Sequence, residues 1–140
     1  MPLLWRDPFS VGNDLIDTDH RYLIEIINKA ETCMKSRKRS DLIAVIDELN
    51  RYGRIHFECE ELIARAVGYP QAEQLQHSHE HLSESLEKFK SGIGDHWDAS
   101  TMEQISTFLR DWLINHVIKE DLLMKPWLVK HSPRFDPRAG

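Results

Sequence analysis

Residues 56–81 read HFECEELIARAVGYPQAEQLQHSHEH, and how this stretch is read decides the fold. His56 and Glu60 stand four residues apart, as do His77 and His81. On an α-helix, residues at i and i+4 lie one above the other on one face, so each pair can aim two side chains at one point. Between the pairs, Gly68 can end one helix and Pro70 can start the next. The stretch therefore predicts two antiparallel helices joined by a short turn, with candidate metal ligands facing each other. His79 lies two residues from each neighbour, about 200° round the helix, and is expected to face outward.

The apolar spacing extends the first of these helices back to Ser40 or Asp41, along Leu42, Val45, Ile46, Leu49, Tyr52, His56, Glu60, Ile63, Ala64 and Val67. His56 and Glu60 replace apolar residues within that stripe, and burying a charge without a partner is expensive. Glu58 and Glu61 point to other faces and read as solvated surface. The next helix is expected from Pro70 to about Lys90, with Gln74, His77, His81, Leu82, Ser85, Leu86 and Phe89 inward and a stop at residues 91–95.

Upstream, Thr18 to Lys38 carries Leu23, Ile24, Ile27, Ala30 and Met34 at helical spacing, with Asp17 or Thr18 as cap and His20 on the inward stripe. Residues 1–17 form an irregular arm broken by Pro2, Pro8 and Gly12, and Trp5, Phe9 and Val11 are expected to pack on the domain. Downstream, Ser100 to Glu103 forms a capping-box pattern. It opens a stripe of Ile105, Phe108, Leu109, Trp112, Leu113, His116 and Val117, which Pro126 stops. The tail, residues 128–140, is polar and Pro-rich and is expected to be extended. Four amphipathic helices with short connections and no strand-like segment predict an all-α, up-down-up-down antiparallel four-helix bundle in one domain, residues 1–140.

A chain of 140 residues is long enough for a real core. The net charge of −5 disfavours bulk nucleic-acid or acidic-membrane binding. The basic run Lys35–Arg39 reads as a solvated helix end. The start of the chain, MPLLWRDPFSVGND, has charges within its apolar stretch and does not read as a signal peptide. The longest apolar run falls far short of the ~18–20 residues of a membrane span. Cys33 and Cys59 lie outside any CxxC pattern and suggest reduced thiols and a cytoplasmic location.

Eight histidines are a high number for this length. His20, His56, His77, His81 and His116 fall on the four apolar stripes with the carboxylate Glu60, and Asp121 follows His116 by five residues. One inward histidine has a structural explanation; five with a carboxylate point to metal. Seven ligands exceed the four or so of a single zinc and suit two ions with bridging carboxylates. Imidazole suits iron, copper, nickel and zinc. Histidine dominance and four-residue spacing fit poorly with the Glu-rich di-iron carboxylate bundles.

Ile16-Asp17-Thr18-Asp19-His20, HFECEE at 56–61, Gly68-Tyr69-Pro70, residues 77–81 and Trp112–His116 with Asp121 together resemble the hemerythrin family, in particular bacterial single-domain hemerythrins. The resemblance covers nearly the whole chain. It implies an oxo- or hydroxo-bridged, non-haem di-iron site that binds dioxygen reversibly. By that pattern His77, His81 and His116 hold one iron, His20 and His56 hold the other, and Glu60 and Asp121 bridge. On an ideal helix Asp121 lies about 140° from the direction of His116, where Glu120 at i+4 would stack better, so a bridging Asp121 reaches from a different angle or from a locally distorted turn. The chain has Asp19 where the family often has Gln, and Ile63 where it often has Met. Leu23, Trp112 and Leu113, one turn from ligand positions, are the expected lining of an apolar O₂ pocket.

No residue of this set is an obvious general acid or base, which argues for binding rather than turnover. Dioxygen carriage, storage or delivery to an oxygen-consuming enzyme or redox partner is the first expectation. The alternatives are an O₂ or redox sensor acting through a separate partner, and a di-iron enzyme handling peroxide or nitric oxide. The inward assignment of His77 further expects that His77→Ala loses iron while His79→Ala retains it.

Overall fold

The computed structural model describes residues 1–139. Its helices are α1 (Asp14–Met34), α2 (Arg39–Ala66), α3 (Ala72–Ser91) and α4 (Ala99–Asp111). The last continues through a π-helical segment, Trp112–Ile118, into α5 (Lys119–Leu122), and a short α6 (Lys125–Leu128) follows. No strand occurs among the described residues. α1 packs on α2, α2 on α3, and α4 with its π continuation returns against α1. The antiparallel four-helix bundle expected from the apolar spacing is the observed architecture.

Helix starts differ from those expected, and the caps explain why. α1 begins earlier because Asn13, not Asp17 or Thr18, is the cap: its Oδ1 accepts from the Ile16 N–H at 3.1 Å. Asp17 then serves the arm, accepting from the Ser10 hydroxyl at 2.5 Å and the Val11 N–H at 2.9 Å. α4 begins at Ala99 because Asp98 accepts from the Thr101 N–H at 2.8 Å, in place of a Ser100 cap. Asp98→Ala is expected to lower the midpoint of a denaturant unfolding curve while leaving its slope unchanged.

The arm is tied down as expected. Val11 is fully buried, Trp5 and Phe9 pack edge-to-face at 5.8 Å, and the Asn28 side chain pairs with both backbone groups of Leu3 at 2.8 Å. The tail does not extend away. Its Pro133 carbonyl accepts from the Asp14 N–H at 2.7 Å and its Phe135 carbonyl from the Asn13 amide at 3.0 Å. The first of these bonds satisfies a donor at the start of α1 that a free helix end leaves unpaired. Nor does Pro126 itself end the fourth helix. That helix stops at Leu122, and Pro126 stands in the first turn of α6, where a missing N–H costs nothing.

The core is in two apolar layers. The larger holds Leu23 and Ile27 from α1, Ile46, Leu49 and Phe57 from α2, Leu82 and Leu86 from α3, and Leu109, Trp112, Leu113 and Ile118 from the fourth helix. The smaller holds Val11, Ile16, Cys59, Ile63, Tyr69, Leu75, Met124 and Leu128. Each fully buried Leu or Ile contributes about 1.5–3 kcal/mol. Between the layers every helix crosses a polar level: Ile16–His20–Leu23 on α1, Phe57–Glu60–Ile63 on α2, Leu75–His79–Leu82 on α3 and Ile118–Asp121–Met124 on the last.

Candidate metal centre

His20, His56, Glu60, His79 and Asp121 meet at this polar level, each with relative exposure of 3 % or less. One donor atom from each of His20, His56, Glu60 and Asp121 lies within 4.8 Å of the others. His20 Nε2 is 2.7 Å from Asp121 Oδ2, and His56 Nε2 is 3.7 Å from that same oxygen. Glu60 sits between two imidazoles: Oε2 is 2.8 Å from His56 Nε2, and Oε1 is 3.3 Å from His79 Nε2. Neither approach has hydrogen-bond geometry. His20 Nδ1, His56 Nε2, both Glu60 oxygens, His79 Nε2 and Asp121 Oδ1 are buried without a hydrogen-bond partner. Buried polar atoms are normally satisfied, so six such atoms in one cluster mark a place built for a cation.

The back sides of two imidazoles are fixed. His56 Nδ1 is 2.8 Å from Asp19 Oδ2, and the Tyr52 hydroxyl donates to Asp19 Oδ1 at 2.7 Å. His79 Nδ1 is 2.9 Å from Glu61 Oε2, and its ring stacks on Phe57 with centroids 4.0 Å apart. A carboxylate that takes the Nδ1 proton leaves the Nε2 lone pair free for a metal and sets the ring plane. Asp19→Asn is expected to weaken metal binding roughly 10- to 100-fold, measured by competition against a chelator.

The charges of the cluster are held in tension. Burial pushes the Asp121 carboxyl up to about 6, and the neighbouring Glu60 charge adds to the rise. Burial also works against Glu60 ionisation, yet its contacts with Asp121, His56 and His79 outweigh that and hold the carboxyl at about 2. For His56 burial favours the neutral ring, but Asp121, Asp19 and Glu60 keep it well above the ordinary imidazole range. A cation bound here would take over the balancing role that protons hold in its absence.

Three residues of the expected ligand set lie elsewhere. His77 and His81 are exposed on α3, and the His77 side chain keeps 68 % of its accessible surface. The buried stripe of that helix is Leu75, His79, Leu82, Ser83 and Leu86, so the expected inward set is corrected at Gln74, His77, His81 and Ser85, while Phe89 packs half-buried against the larger layer. Turning α3 to bring His77 inward would expose Leu75, Leu82 and Leu86, at about 1.5–3 kcal/mol each. His79, expected outside, is buried, and the contrast between His77→Ala and His79→Ala reverses: iron loss is now expected from His79→Ala.

His116 is exposed as well, its ring 3.4 Å from Asp111 Oδ2. It lies within the π segment, whose buried residues are Trp112, Leu113, Val117 and Ile118. His116 stands off that buried face, while Asp121, in α5, reaches the polar level fully buried.

Sequence reasoning misses His79, and it takes Glu61 for solvated surface although that side chain is only 15 % exposed and holds His79. It marks Asp19 as a departure without seeing its partner. The signal for His79 is its apolar flanks at i−4 and i+3, Leu75 and Leu82. Leu23, Trp112 and Leu113 are all buried in the larger apolar layer, and Trp112 reaches Phe57 at 6.2 Å between ring centroids. A cleft of about 460 Å³ between α2 and α3, lined by Arg54, Phe57, Glu61, Gln76, His79 and Ser83 among others, opens at the His79 side of the centre.

The hemerythrin HHE cation binding domain matches residues 11–128. The chain belongs to the hemerythrin family. It is 29 % identical over 133 residues to a bacteriohemerythrin of Stenotrophomonas maltophilia, covering 95 % of this chain and 86 % of that protein. It is 28 % identical over 122 residues to one of Clostridium acetobutylicum, covering 84 % of this chain and 95 % of that one. A crystal structure of wild-type hemerythrin superposes with a TM-score of 0.76 at 25 % identity, covering 92 % of this chain and 99 % of that one. The matching family model is described as a cation binding domain. The donor set of imidazoles and carboxylates, with no thiolate, suits non-haem iron.

Proposed function

We propose that the chain holds non-haem iron in the centre formed by His20, His56, Glu60, His79 and Asp121, and binds dioxygen there reversibly, as a carrier or store. The observation that carries this reading is the set of six unpartnered buried donor atoms converging at one level of the bundle. Ferrous iron, when bound, supplies a reducing site able to take a diatomic ligand. The chain's own residues orient and insulate it. Asp19 and Glu61 fix the rings of His56 and His79. The apolar layers above and below, Leu23, Trp112 and Leu113 among them, exclude the water that would favour charge separation.

No helix among the described residues is long and apolar enough to cross a membrane, and Cys33 and Cys59 are free. These features support cytoplasmic service to an oxygen-consuming enzyme. The test is metal analysis with optical spectra recorded anaerobically and in air. Iron with a spectral change that reverses over many cycles supports carriage. Fast autoxidation with a ligand-dependent change of shape favours sensing instead. Zinc as the bound metal, or no response to dioxygen, overturns the reading.

A further inference from the structure

We propose that the centre takes one metal ion per chain, not two, held by His20, His56, Glu60 and Asp121, with His79 occupying the side of Glu60 where a second ion would need to sit. This deepens the iron-binding reading above and rests on it. The four donor atoms lie within 4.8 Å of one another. Ligands on opposite sides of one ion, each about 2.1 Å from it, are about 4.2 Å apart, so movements of a few tenths of an ångström bring the four donors into a single coordination sphere.

A second ion would need further ligands, and the chain does not bring them in. α3 offers the centre one imidazole: four residues before His79 the inward position is Leu75, buried in the smaller apolar layer. His77 and His81 stand on the outer face of the same helix, and His116, within the π segment, is exposed to solvent. What remains for a second ion is His79 with carboxylates already engaged. His79 Nε2 instead lies 3.3 Å from Glu60 Oε1, so that the two oxygens of Glu60 meet an imidazole on one side and the four-donor cluster on the other. Glu60 thus stands between the four-donor cluster and the His79 ring.

The experiment is anaerobic titration of the full-length protein with Fe(II), followed by removal of loose metal and iron analysis per chain. The wild type and a His77→Ala/His81→Ala/His116→Ala triple variant, altered only at exposed positions, are compared. Both are expected to retain one iron. After air oxidation, electron paramagnetic resonance is expected to show an isolated high-spin ferric ion. Two irons in the wild type, falling in the triple variant, or a magnetically coupled and silent ferric pair, would overturn the one-ion centre. No tightly held iron in the wild type would instead overturn the iron-binding reading beneath it.

Discussion

Chelation of the bound metal is expected to lower the midpoint of thermal unfolding by on the order of 10 °C. An ion that binds only the folded chain stabilises it by about 4 kcal/mol when present at a thousand times its dissociation constant. A domain of this size shifts by a few degrees per kcal/mol. The physical source is the polar level between the two apolar layers. Without a cation, two carboxylates and three imidazoles share a space from which water is largely excluded, and six of their atoms have no partner. The rise of Asp121 to about 6, driven by burial and by the Glu60 charge beside it, expresses the resulting strain on the charges. With a cation, His20, His56, Glu60 and Asp121 each supply a ligand atom and the charges are balanced. Scanning calorimetry before and after dialysis against a strong chelator measures the difference. A shift below about 2 °C, with metal shown to be removed, would mean that these residues do not hold it.

The bundle is legible in the sequence because helical apolar spacing reports directly on which faces are buried. So are His20, His56 and Glu60, since each interrupts a long stripe whose other members are plainly apolar. α3 misleads for a specific reason. The spacing of His77 and His81 looks like a ligand pair and suggests one register, whereas Leu75, Leu82 and Leu86 set another. Spacing of four occurs on a solvated face as well as on a ligand face; apolar flanks are what distinguish them. His116 fails differently. Its inward placement assumes an α-helix, and no local feature of Trp-Leu-Ile-Asn-His announces a π segment. Hydrogen bonding to the back of the ligands is invisible for a third reason: Asp19 and His56 sit on different helices, and only packing joins them.

Glu60→Gln is expected to reduce bound iron to less than about a tenth of the wild-type content while leaving the fold in place. Glu60 is the most central of the donors. Its Oε2 is 2.8 Å from His56 Nε2 and 4.0 Å from His20 Nε2, and its Oε1 faces His79. Glutamine keeps the length, the burial and nearly the same helix propensity, so α2 is unaffected. It removes the charge that balances the ion and replaces one acceptor oxygen by an N–H donor. Loss of metal through general unfolding would give a different result from loss of a ligand. The metal-free variant should unfold within about 4 °C of the metal-free wild type, because the repulsion on Asp121 is relieved as the contact with His56 is weakened. Glu58→Gln, an exposed position two residues away on the same helix, is the control and should keep its iron. Iron analysis and unfolding curves on the three proteins decide the matter. Near-normal iron in Glu60→Gln would place the cation elsewhere in the chain, and equal losses in both variants would show that the carboxylates of α2 act only through overall charge.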